Sequence, residues 1–255
     1  MKHFFTILFL IASYPTFSQE TIFTDRPTTT DAVKLISPGT FQIEMGYMNT
    51  MYDAVGIDFK SITSPNLSIK YGLAEWLELR LLANYLTLKV DAYNIENSLS
   101  GVAPLVLSPK LKLIDQNSWI PRISLATAIS FPEPAKEEFQ TDKINYGGRL
   151  LLEHVFNDRY SWSHGFGADW DDSRETTWAY SSAFSASISD KFGAFTEIFG
   201  YFATGFPSTH SIDAGLTYLL SSNLQLDTSV GLPLNDNAPD FFYSMGIAWN
   251  TNFKK

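Results

Sequence analysis

The chain has 255 residues, of which 18 are basic and 27 acidic, for a net charge of −9; 15% are aromatic. This acidity argues against nucleic acid as a partner and fits no basic helix lying on a membrane surface. With no cysteine present, disulfides, zinc–thiolate centres and lipid-modified cysteine anchors are excluded.

Lys2 and His3 open the chain, Phe4 to Ala12 run apolar, and Pro15, Thr16 and Ser18 follow. This order reads as a secretory signal peptide over residues 1–18, cleaved after Ser18. Its apolar run is too short for a membrane helix, which needs roughly 20 residues. Nothing after Ser18 resembles such a helix, so any bilayer crossing must be made by strands. Residues 19–39 contain Asp25, Arg26 and Pro27. They are expected either to enter a lumen as a plug, with Asp25 and Arg26 pairing to wall charges, or to remain a free periplasmic tail.

From Phe41 onward the dominant period is two, which sends alternate side chains to opposite faces of a strand. Twelve strands are predicted near 40–50, 62–72, 77–88, 103–114, 120–131, 143–155, 160–170, 175–188, 191–203, 208–220, 223–233 and 240–253. Each is long enough for a tilted crossing, which takes roughly 9–11 residues. Short turns recur at every second junction, as at Leu73–Trp76 and Ser221–Ser222. The intervening junctions are mostly longer: 50–61, 89–102, 132–142 and 233–239.

One parity carries Phe41, Ile43, Met45, Leu67, Leu79, Leu111, Leu125, Leu150, Phe166, Phe184, Ile198, Leu216, Leu226 and Val230, with no charge in its central portions. A lipid-facing band requires that, since Arg or Lys at the midplane costs ~2–4 kcal/mol. The face of the 191–203 strand is assigned by keeping Glu197 away from lipid. Tyr71, Tyr160, Tyr218 and Trp249 fall near the short turns, with Trp170, Trp178 and Tyr180 towards the other rim, as aromatic girdles would. A secreted β-sandwich alternates in the same way. The even strand count, the loop asymmetry and the long regular strands favour an all-β, transmembrane antiparallel up-and-down barrel over residues 40–253.

The opposite parity supplies the pore-lining candidates: Glu44, Lys70, Glu78, Arg80, Lys110, Lys112, Arg122, Arg149, Glu153, Glu197, Asp213 and Asp227. The early strands would form a basic wall (Lys70, Arg80, Lys110, Lys112, Arg122, Arg149) and the late ones an acidic wall (Glu197, Asp213, Asp227). Facing walls would impose a transverse field across the lumen; otherwise these charges simply pair and brace the barrel. No catalytic or metal site is assigned and no cofactor is expected. Of the residues beside His210 only Ser208 shares its parity, and no third orienting group is visible. Asp169, Asp171, Asp172 and Glu175 read as a solvated acidic loop.

Two stretches resemble known patterns. The last strand, with Trp249 and Phe253, looks like the signal read by the outer-membrane barrel assembly machinery. Thr24-Asp25-Arg26-Pro27, Pro38-Gly39-Thr40-Phe41-Gln42-Ile43-Glu44, Tyr71 to Arg80 and Asp213 to Asp227 together resemble the outer-membrane transporter family linked to the MetA pathway of phenol degradation. The resemblance implies a barrel in the outer membrane of a Gram-negative bacterium, surrounded by lipid and passing a small-molecule solute of aromatic or hydrophobic class. A closed barrel whose loops 89–102 and 132–142 bind a ligand or partner is the alternative, and an outer-membrane lipid hydrolase the third reading.

Overall fold

The computed structural model describes residues 21–54, 56–93, 95–172 and 175–253. The expected signal peptide lies outside them. The described chain is all-β apart from one 3-10 turn at Glu137–Phe139. Its strands are β1 (Thr40–Ala54), β2 (Ile57–Ala74), β3 (Leu77–Ala92), β4 (Ile95–Val102), β5 (Leu105–Ile114), β6 (Arg122–Phe131) and β7 (Asn145–Val155). They continue with β8 (Tyr160–Trp170), β9 (Thr176–Ser187), β10 (Phe192–Ala203), β11 (Thr209–Ser221), β12 (Leu224–Pro233) and β13 (Phe241–Asn252). Sequence neighbours other than β4 and β5 pair antiparallel, and β1 pairs with β13 from Thr40↔Asn252 to Met51↔Phe241. The sheet is therefore closed, and neither of its terminal strands leaves an unpaired edge.

Thirteen strand segments make a barrel of twelve. The first half of β3 pairs with β5, from Leu77↔Leu111 to Leu82↔Val106, and its second half with β4, from Tyr85↔Val102 to Ala92↔Ile95. β4 and β5 thus occupy one slot, interrupted at Ala103 and Pro104, where proline has no N–H to give the ladder.

This corrects the sequence reading, which made 50–61 and 89–102 loops. β1 runs on to Ala54 and β2 starts at Ile57, while 95–102 is strand, so both junctions are tall hairpins. Asp53, Asp58, Lys60, Lys89 and Asp91 lie in these extensions, where water reaches both faces and apolar–polar alternation is no longer enforced. β2 also carries Pro65, and the register slips by one between Thr63 and Asn66. The bulge absorbs the residue that cannot donate.

Burial follows the parity assigned from sequence. Phe166, Leu216 and Val230 are about half exposed on the outer face, whereas Glu44, Lys70, Glu78, Lys110 and Glu197 are at most 2% exposed. A protein that buries charges and exposes its aliphatic side chains is inside-out relative to a soluble domain. Only hydrocarbon around the outer face makes that arrangement favourable.

Candidate functional site in the barrel lumen

Inward-facing side chains of the strands meet residues 21–39, which rise from the short-turn end, bend near Thr28 and return to β1. Ile22 N–H donates to Ser222 O (2.7 Å) and Gly39 N–H to Gly72 O (2.8 Å), pinning both ends beside the short turns. The returning limb buries Val33, Leu35 and Ile36, and Val33 packs against Ala126 and Leu151 on the barrel wall. This apolar contact is local. Elsewhere the segment is held by charge.

Asp25 is the centre of that charge. Its carboxylate lies 2.5 Å from Lys70 Nζ, 3.1 Å from Arg80 Nη1 and 3.3 Å from Lys110 Nζ. The three cations come from β2, β3 and β5, brought side by side by the registers Lys70↔Arg80 and Glu78↔Lys110. Each also has a second carboxylate: Lys70 pairs with Glu44, Arg80 with Asp31 (2.9 Å) and Lys110 with Glu78 (3.3 Å). Burial alone would raise the Asp25 carboxyl, but Lys110, Lys70 and Arg80 together hold it well below the usual carboxylate range. Glu44 accepts the backbone N–H groups of Asp25 and Arg26, both at 3.2 Å. The wall therefore grips main chain as well as side chain.

Arg26 takes the other side. Its Nη2 lies 3.1 Å from Asp227 Oδ1. The guanidinium passes over Gly46 and Gly246, which face each other across β1 and β13. A Cβ at Gly46 would come within 2.2 Å of Arg26 Cζ, and one at Gly246 within 2.4 Å of Nε. The missing side chains at both leave the space the guanidinium fills, and a Cβ at either would push Arg26 aside. Further along, Glu197 accepts the N–H groups of Thr29 (2.7 Å) and Thr30 (2.6 Å) and the Thr30 hydroxyl.

Of the residues singled out from sequence, Glu44, Lys70, Glu78, Arg80, Lys110, Glu197 and Asp227 converge on residues 25–36, together with Asp25 and Arg26. Arg122 pairs with Glu153, and Arg149 with Asp169, along neighbouring strands. Lys112 pairs with Asp115 (2.9 Å) at the short-turn end, away from the cluster. Among the described residues Asp213 alone of the inward acids has no side-chain partner, and its Oδ1 is buried without a hydrogen bond. Of the two arrangements open from sequence, facing walls or paired charges, the basic side is paired: Asp25, Asp31 and wall carboxylates neutralise it. Asp31, Gly46 and Gly246 were not singled out from sequence.

Between the bend at Thr28–Thr29 and the loop end a cavity of about 480 Å³ remains, lined among others by Arg80, Arg149, Tyr201, Asp213 and Phe242. Below the segment lies a separate space of about 410 Å³ bounded by Arg122, Glu153 and residues 21–34. On the outer face near the loop end, Ser208 Oγ is 3.1 Å from His210 Nε2 and Tyr180 Oη is 3.0 Å from His210 Nδ1. A third group does therefore reach this histidine, from two strands away.

Several solved structures share the fold. An outer membrane channel from Pseudomonas putida F1 superposes with a TM-score of 0.72 at 12% identity, covering 88% of this chain and all of its own. The NanC porin matches at 0.54 and 10% identity, over 82% of this chain and 98% of its own. The KdgM porin matches at 0.52 and 11%, over 81% and 98%. No curated protein matches the sequence. Residues 24–251, from the first residues of the lumen segment to the last strand, match the family described as "Putative MetA-pathway of phenol degradation", and the chain belongs to that family.

Proposed function

We propose that this chain is a channel in the outer membrane of a Gram-negative cell, exported by a cleaved signal peptide, through which small solutes pass down their gradient. Residues 19–39 act as its plug. The observation that carries the reading is the solute-sized cavity of about 480 Å³, bounded on one side by a segment held through ion pairs rather than by a packed core. A permanent core would be built from close-packed apolar layers. A charge-latched segment can be displaced as a unit, because its contacts exchange for water and counterions. The polar inner wall and the likeness in fold to an outer membrane channel point the same way. Outer-membrane lipid covers the apolar band, and the barrel assembly machinery reads the last strand. Family membership favours an aromatic or hydrophobic solute. The deciding test is swelling of proteoliposomes in graded solutes, alongside planar-bilayer conductance. Wild-type protein should give low, flickering conductance that rises when residues 21–36 are replaced by a Gly/Ser linker. If neither protein conducts or supports swelling, the channel reading is wrong.

A second reading is favoured by the Ser208–His210–Tyr180 alignment. Placed at the lipid boundary, it has the nucleophile–base–orienter order of a hydrolase. Phospholipid turnover lost in Ser208→Ala and His210→Ala would support it; absence of turnover in detergent–lipid micelles would dismiss it.

A further inference from the structure

Asp213 is 4% exposed, lines the lumen cavity, and its Oδ1 has no hydrogen-bond partner. A carboxylate removed from water without a donor is costly, and such a group at membrane depth calls for an explanation. Its surroundings narrow what that explanation is. On β10 its register partner is Glu197, whose oxygens are already taken by Thr29 and Thr30. A second carboxylate alongside makes the spot repel anions and attract cations.

On β12 its register partner is Gly231, and here the side-chain space is filled from elsewhere. A Cβ at Gly231 would lie 1.9 Å from the Phe242 ring, so that ring covers the glycine beside Asp213. Phe242 is 3% exposed, also lines the cavity, and stands edge-on to Phe199 at 5.8 Å, and Phe199 in turn lies 6.3 Å from Tyr201. The cations lining the cavity are committed: Arg26 to Asp227, Arg80 to Asp25 and Asp31, and Arg149 to Asp169. The site therefore combines a free carboxylate with aromatic surface and no resident cation among the described residues.

We infer that Asp213 and Phe242 form a subsite in the lumen for a small organic ammonium, a protonated primary amine on a short apolar stem. The ammonium pairs with the Asp213 carboxylate from the cavity, and the stem lies against the Phe242 ring, which also attracts the charge. The cavity volume lies within the range of small-ligand sites, about 300–1,000 Å³. This inference rests on the channel reading for its physiological meaning, because the subsite lies on the proposed path. Its binding chemistry is tested independently.

The probe is n-propylammonium, with propionate and 1-propanol as matched controls. Binding to the detergent-folded full-length barrel is followed by calorimetry, and conductance is recorded on the same preparation. Propylammonium should bind at neutral pH while the controls do not. Asp213→Asn, which keeps the shape and removes the charge, should weaken binding by about tenfold or more. Phe242→Leu should weaken it several-fold. Refolding of each variant is checked by the heat-dependent shift of the barrel on a denaturing gel. A refolded wild-type barrel that ignores propylammonium, or binds it equally well as Asp213→Asn, overturns the subsite. Equal binding of propionate overturns it too. A barrel that binds the amine but never conducts leaves the subsite standing and removes the channel; one that conducts but never binds does the reverse.

Discussion

Replacing Asp25 by Asn would remove one carboxylate from within 3.3 Å of three buried cations while preserving side-chain volume. Breaking a buried ion pair by deleting one partner typically costs ~3–5 kcal/mol, because the other charge is stranded. Here Glu44, Glu78 and Asp31 remain beside Lys70, Lys110 and Arg80, so the low end, about 3 kcal/mol, applies. At 1.4 kcal/mol per decade, the docked segment would lose roughly a hundredfold in its favour over the released one. Because the protein has no cysteine, a single Thr29→Cys substitution gives a clean reporter. Thiol labelling from the short-turn side of oriented proteoliposomes should quicken by about the same hundredfold in Asp25→Asn, and the conductance should rise with it. Equal labelling rates in the two proteins would refute the idea that Asp25 latches the segment.

Acid should act on the same latch, with a definite sign. The folded Asp25 carboxyl lies well below its ordinary value, so its stabilisation is complete above the unfolded value near 3.8 and fades only as pH falls through the folded one. Conductance should therefore be steady from pH 7 to about 5 and rise only in stronger acid, below about pH 4; opening between pH 5 and 6 would point to another group. Gly246→Val should expel Arg26 from the β1–β13 seam and break its pair with Asp227, costing ~1–3 kcal/mol by overpacking. The check is faster labelling at position 29, rescued in part by Arg26→Ala. Phe166→Arg, on the outer face, should destabilise the barrel by ~2–4 kcal/mol in guanidinium titrations from vesicles; a change below 0.5 kcal/mol would place that face away from hydrocarbon.

The barrel was largely legible from sequence because membrane crossing enforces a strict rule over each strand. Glu44, Arg80 and Lys110 fall on one parity and Met45, Leu79 and Leu111 on the other, and the even strand count with its loop asymmetry separates this from a sandwich that alternates in the same way. Where the rule lapses, legibility lapses as well. Lys89 and Asp91 extend β3 beyond the hydrophobic band, and with both faces wet they look like a loop. The lumen segment shows the same limit. Asp25 and Arg26 were picked out as charges in search of partners, but whether they entered the barrel depended on contacts 201 residues apart, such as Arg26 with Asp227. Gly46 and Gly246 read as ordinary strand glycines, because their meaning exists only once the first and last strands pair. Tyr180 was likewise invisible beside His210, since β10 separates their strands.

The seam between β1 and β13 sets an order of events. β1 cannot find its final neighbour until the whole chain has been delivered, and until then β1 and β12 each keep a raw edge. Arg26 also lacks one wall of its notch, since Gly246 arrives with β13. Locking of the inner segment therefore reports completion of the cylinder, and a chain cut short before Phe241 would be left both unsealed and unlatched. Such a fragment carries its own marks for disposal: a sticky strand border on the outside and a loose basic side chain within.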